Sequence, residues 1–200
     1  MKNNIQSIRL LGKAILLVAV ISLSACVAVP VEPAISGYTC CNMRSYDGWI
    51  SSNNVQGGNL IAVGEPARFD SIKKNYYIYG TISGTDIALR DDTAKNQDDT
   101  LRWARRIIVS EDPRPQLARW APDVQKAVNY GRVFTGMTQE QVLMSLGYPS
   151  ISDTPDLNAE SWRYWTGTED QPVDLNFGKD QKLASISGKP SVVRMIEAMR

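Results

Sequence analysis

Hydrophobic positions change pattern several times along the chain, and each change marks a different kind of structure. Residues 14–21 are wholly apolar and follow Lys2, Arg9 and Lys13, with no acid among them. From 27 to about 58 neither a period of 2 nor one of 3.6 persists. Pro30, Pro33, Gly37, Gly48, Gly57, Gly58 and the run Ser51-Ser52-Asn53-Asn54 punctuate this stretch, which reads as a tether. Short strand-forming runs follow at 60–63 and at Tyr76-Tyr77-Ile78-Tyr79. A turn at Ser83-Gly84-Thr85-Asp86 leads into Ile87-Ala88-Leu89. Asp98 and Asp99 are expected to cap a short helix starting near Thr100, with Leu101, Ala104 and Ile108 inward.

The second half is more regular. Pro122 suits a helix start, and Val124, Ala127 and Val128 recur at helical spacing until Gly131. The next helix has both ends written out. Thr138 and Gln141 form a capping box, and Met137 and Val142 a hydrophobic staple. Gly147 is expected at a left-handed C′ position, with Tyr148 folding back on Leu143 and Pro149 forbidding continuation. Beyond a polar loop, Trp162 and Tyr164 alternate with Arg163 and Trp165. Val173, Leu175 and Phe177 alternate with Asp174 and Asn176, and a turn at 178–181 leads into a last strand at 182–187.

The expected fold class is therefore α+β: two helices packed on a three-stranded antiparallel meander, preceded by a small β-rich region and a flexible tether. The expected divisions are a signal at 1–25, a tether at 26–58, a β-rich region at 59–115, the helix-and-meander domain at 116–188 and a tail at 189–200.

Composition narrows the chemistry. The chain has no histidine, so Ser-His-Asp and Cys-His catalysis and imidazole zinc sites are excluded. Glu160 and Asp174 are the acids a hydrolase reading would use, on neighbouring strand segments. Asp91, Asp92, Asp98 and Asp99 lack the glycine and closing glutamate of a calcium loop. The expectation is a non-catalytic protein with no cofactor. Lysine plus arginine (22) nearly equals aspartate plus glutamate (21), which gives no reason to expect a nucleic-acid partner. The tyrosine cluster at 76–79 is open to two readings, a stacking platform or an aromatic strand packed on a small sheet, and the second is preferred. Arg102, Arg105 and Arg106, beside Trp103, are either a solvated helix face or a patch for anionic lipid.

The order positive, apolar, small at the N-terminus is that of a signal peptide, because the apolar stretch is far shorter than the ~20 residues of a membrane span. Leu23-Ser24-Ala25-Cys26 resembles the lipobox of bacterial lipoproteins. The resemblance implies cleavage between Ala25 and Cys26 and acylation of Cys26. Multiple acyl chains, at about 0.8 kcal/mol per buried CH₂, anchor a protein stably. Val27 rather than aspartate after the cysteine points, by the same resemblance, to the outer membrane and a periplasm-facing body. Cys40 and Cys41 then lie in an oxidising compartment. A vicinal disulfide, pairing with another molecule and two free thiols all stay open, and the expected setting is a loose segment near the membrane.

Gly136-Met137-Thr138-x-x-Gln141-Val142-x-x-x-Leu146-Gly147-x-Pro149, followed by Trp162-x-Tyr164 and Phe177-Gly178, resembles the SmpA/OmlA (BamE-like) domain family. The resemblance spans roughly 122–187 and marks a fold more strongly than a task. It implies a small outer-membrane lipoprotein that docks other envelope proteins, the β-barrel assembly machinery among them, in assembly or envelope integrity. The stretch 59–115 is additional to the short family members. Tyr148, Arg163 and Trp165, with Arg102, Arg105 and Arg106, are the candidate interface residues. The other reading is an inhibitor or ligand-binding module taking a glycan, a lipid or a periplasmic enzyme.

Overall fold

The structure is a computed structural model that describes residues 28–73, 76–167 and 171–199. Cys26 and Ala25 lie outside the described residues. The strands are β1 (Val29–Thr39), β2 (Met43–Ser45), β3 (Trp49–Ser51), β4 (Asn59–Ile61), β5 (Pro66–Ile72), β6 (Tyr77–Ile82), β7 (Thr85–Arg90), β8 (Ile108–Val109), β9 (Ser161–Thr166), β10 (Gln171–Phe177) and β11 (Leu183–Gly188). The helices are α1 (Gln97–Ile107), α2 (Arg114–Leu117), α3 (Pro122–Asn129), α4 (Gln139–Leu146) and α5 (Pro190–Ile196). Among the described residues no helix is long and apolar enough to cross a membrane.

The largest element is a curled, six-stranded mixed sheet in the order β3-β7-β6-β5-β1-β8. Two hairpins join β5, β6 and β7, while β3 runs parallel to β7 and β8 closes onto β1. Period-2 alternation sends Ala67, Phe69, Ile78, Ile87 and Leu89 to the inner face, and a register shift between Phe69 and Ser71 returns Ile72 to it; α1 covers this face with Ala104 and Ile107. Each such apolar side chain contributes about 1.5–3 kcal/mol by leaving water. The second sheet, β11-β10-β9, buries Trp162, Tyr164, Val173, Leu175 and Phe177 against α3, α4 and α5.

The expected fold class is corrected by this architecture. The protein is 40% strand and 23% helix, dominated by the six-stranded sheet, and is not two helices on a three-stranded meander. The meander is only the smaller of its two main sheets. The flexible tether is corrected as well: residues 29–39 form the longest strand, and 43–51 supply β2 and β3. The stretch at 189–200, expected as a tail, carries α5, whose Val192 and Ile196 are buried in the second core.

Two local expectations also change. The cap of α1 is Asn96, whose side chain accepts from the Asp99 N–H at 3.0 Å. Asp98 and Asp99 instead occupy the first turn, where acids favour the helix dipole. At the end of α4, Gly147 has φ 81° and ψ −178°, so it is not the left-handed residue of a Schellman cap. Its positive φ with extended ψ is accessible essentially only to glycine. A Cβ there would also lie 2.8 Å from the Asn42 carbonyl oxygen and 2.9 Å from Asn54 Nδ2.

Residues 42–56 lace the two sheets together at that point. A helix leaves its last carbonyls without internal partners, and here other segments supply them. The Asn42 N–H donates to Met144 O (2.9 Å) and its Nδ2 to Ser145 O (3.0 Å). Asn54 Nδ2 donates to Leu146 O and Tyr148 O, Gln56 Nε2 donates to Leu146 O, and the Tyr164 hydroxyl donates to Gly147 O. Asn42 and Gln56 are buried because these bonds replace water.

Candidate functional site

The outer face of the six-stranded sheet carries an open trough of about 840 Å³. Register builds it. Trp49 lies beside Ala88 across the β3–β7 pair, and Ala88 lies beside Tyr79 across β7–β6, so the three side chains share a row. In the next row Arg68, Thr81 and Asp86 stand side by side. Two large rings thus flank a single methyl group, with two strand spacings, about 10 Å, between their backbones.

Both walls are held from behind. Trp49 is placed by a two-residue hairpin in which Tyr46 and Trp49 exchange backbone hydrogen bonds of 2.9 Å. Asp47 (φ 45°) and Gly48 (φ 79°) make the turn, and positive φ at both positions is what an Asp-Gly hairpin turn requires. The Tyr46 ring sits 6.4 Å from that of Trp49, and its hydroxyl donates to Val55 O at 3.0 Å. Burial raises the Tyr46 phenol above its ordinary pKa. On the other side, Lys73 Nζ stands 4.1 Å from the centre of the Tyr79 ring, and Tyr77 is 6.2 Å from Tyr79. Arg68 and Asp70 form an exposed ion pair at 3.5 Å on the rim, while Asp47 and Asp86 are exposed without an ion-pair partner among the described residues.

Tyr77 and Tyr79 lie on a strand, β6, of the six-stranded rather than a small sheet. Ile78, between them, is the buried residue, while Tyr77 and Tyr79 remain half-exposed on the wet face. The sequence pattern Tyr-Ile-Tyr carried that information, and Tyr46-Asp47-Gly48-Trp49 carried the hairpin.

The residues singled out in the sequence separate into three groups. Gly136, Met137, Thr138, Gln141, Val142, Leu146, Gly147, Pro149, Trp162, Tyr164 and Phe177 shape α4 and its core. Thr138 and Gln141 exchange the two capping bonds, and Met137, Val142, Leu146 and Tyr164 are buried. The Trp162 ring lies 4.8 Å from that of Phe177. Burial drives the Tyr164 phenol far above its ordinary pKa.

The second group is the candidate interface, and the structure brings only part of it together. The Arg106 guanidinium lies 4.0 Å over the Tyr148 ring, so a residue of α1 meets the second residue past α4. Arg102 pairs with Asp99 at 3.1 Å and Arg105 is exposed. Trp165 donates from Nε1 to Asp153 at 3.0 Å and borders a separate concavity of about 520 Å³ with Asn53 and Val55. Arg163 grips Asp174 with bonds of 2.8 and 2.9 Å, and that side-chain hydrogen bonding raises its pKa. Asp174 is held in this pair.

The third group is Cys40 and Cys41, which are bonded to each other. They are not in a loose segment. Cys41 is 1% exposed within the sheet core, and the Cys40 N–H donates to Ile107 O at 2.9 Å. Among the described residues no three His, Cys, Asp or Glu side chains gather as a metal ion needs. Comparison with known protein families, with curated proteins and with solved structures found no match.

Proposed function

We propose that this chain is a non-catalytic lipoprotein of the outer membrane, anchored by acyl chains on Cys26 and facing the periplasm, whose folded body is a binding module of the cell envelope. The trough is the observation that carries the reading. Half-exposed aromatic rings with fixed backs, over a floor of small residues and under a charged rim, have the character of a preorganised binding surface. The lipobox supports the anchor, and the lack of histidine supports binding rather than catalysis.

A second reading is docking of envelope proteins, including the β-barrel assembly machinery, in the manner the SmpA/OmlA resemblance implies. The Arg106–Tyr148 stack favours it, because arginine and tyrosine are the residue types that dominate protein interfaces.

Complementation separates the two. Deletion should sensitise cells to detergents and large antibiotics, and the wild-type chain should restore resistance. Cys26→Ser should fail, and so should Ala88→Gln, which fills the trough floor. Failure of Arg106→Ala/Tyr148→Ala with full rescue by Ala88→Gln would favour the second reading. Rescue by Cys26→Ser and Ala88→Gln alike would contradict the first.

A further inference from the structure

The chemistry of the trough narrows its ligand. Four features bear on the choice: the spacing of the rings, the free faces they present, the sign of the rim and the state of the backbone beneath.

Trp49 and Tyr79 stand on either side of Ala88 in one row, a spacing that admits one ring-shaped group. Lys73 follows the end of β5, on the side of β6 away from Trp49, so its contact with the Tyr79 ring leaves the approach over Ala88 clear. Aromatic faces stack equally well on a nucleobase, an aromatic side chain or the C–H face of a pyranose.

The rim discriminates among these. Among the described residues Asp47 and Asp86, beside the Trp49 wall, have no ion-pair partner, and Arg68, the one arginine lining the trough, is already paired with Asp70. Phosphate or carboxylate placed there meets like charge. A polyol meets acceptors for its hydroxyls in Asp47 and Asp86, and a donor and acceptor in Thr81. The floor discriminates further. β6 is paired on both edges and β7 is so from Ala88 to Arg90, so the floor around Ala88 offers no free backbone groups to an extended peptide. A ligand that brings its own ring of hydroxyls needs none.

We propose that the trough is a binding site for a neutral glycan, with a pyranose ring seated over Ala88 between Trp49 and Tyr79 and its hydroxyls held by Asp47, Asp86 and Thr81. This rests on the reading of the trough as the module's working surface. It adds the ligand class, which neither the lipobox nor the helix motif implies.

The test is titration calorimetry on the full chain in a zwitterionic detergent without sugar headgroups. The probes are an N-acetylglucosamine tetramer, cellotetraose and a phosphorylated lipopolysaccharide core. Binding of either neutral tetramer with a Kd of about 1 mM or tighter is expected. Trp49→Ala and Tyr79→Ala should each weaken it at least about tenfold. Ala88→Gln, which keeps both walls and fills the floor, should abolish it, and Trp165→Ala should leave it unchanged. The proposal is overturned if both neutral probes are silent, if Ala88→Gln binds as well as wild type, or if only the phosphorylated core binds. Silent neutral probes combined with failed rescue by Ala88→Gln in cells would remove the glycan and leave the binding module standing.

Discussion

The side-chain amide of Asn54 donates to the carbonyl oxygen of Leu146 at 2.8 Å and, from the same nitrogen, to that of Tyr148 at 2.7 Å. One asparagine thus caps the last carbonyl of α4 and ties down the turn just beyond it. Through it, a polar segment between two strands of the larger half becomes the end cap of a helix in the smaller half.

Removing that amide leaves the Tyr148 carbonyl without its donor, while Leu146 O keeps Gln56 Nε2. Asn54→Ala should cost about 1 kcal/mol. Asn42→Ala should cost about 3 kcal/mol, since it also orphans the Val63 N–H that donates to Asn42 Oδ1. Urea denaturation measures both. A loss below about 0.5 kcal/mol in each would show that the lacing is dispensable.

Tyr164 makes stability depend on alkaline pH. Its folded-state pKa is raised by burial, so its contribution is fully present below the unfolded tyrosine value of about 10 and falls away as pH rises above it. Wild type should lose stability between pH 9 and 11, at roughly the unfolded tyrosine pKa. Tyr164→Phe should lose less over that range. At neutral pH it should cost about 1 kcal/mol, because Gly147 O loses its donor.

Thr100 offers the opposite case. Its hydroxyl is buried in α1 without a hydrogen-bond partner among the described residues. Thr100→Val removes an unsatisfied polar atom at nearly constant volume, and should leave stability unchanged or raise it by about 1 kcal/mol. Thermal unfolding of the two chains gives the answer, and a clear fall in Tm would reveal a partner for that hydroxyl.

Cys40 and Cys41 should give no covalent dimer. The pair is closed on itself, and Cys41 is buried among Ile50, Ile107 and Met43. A non-reducing gel should show a monomer band alone, and reduction should raise the intact mass by two hydrogens. A dimer band removed by Cys40→Ser/Cys41→Ser would contradict the pairing.

What could be read in advance was what is decided locally. The Thr138–Gln141 capping box and Pro122 at the start of α3 depend on neighbours within one turn, and both sit where their spacing puts them. The larger sheet was illegible for a physical reason. In β1 the inward set Val31, Ile35 and Thr39 is interrupted by Pro33 and Gly37, and the pairing with β5 shifts register between Pro30 and Ile35. Alternation is therefore lost in the sequence although the strand forms. Asn42, Asn54 and Gln56 read as loop residues because polarity normally means exposure. They are held in place by carbonyls some ninety to a hundred positions later, which no local window contains. The trough was partly legible: Tyr77, Ile78 and Tyr79 specify which rings face water, and Asp47-Gly48 between Tyr46 and Trp49 specifies a hairpin. Their meeting over Ala88 depends on the parallel pairing of β3 with β7, a long-range event.

The claim that the sheet face is the working surface is tested most directly by site-specific photocrosslinking in intact cells. A benzophenone side chain at Asp86, on the rim, is compared with one at Asn158, exposed in the loop before β9. The account predicts a light-dependent adduct to an envelope component from position 86 that disappears when Ala88→Gln is added, and none from position 158. Equal adducts from both positions, or none from position 86 while Arg106 yields one, would contradict it.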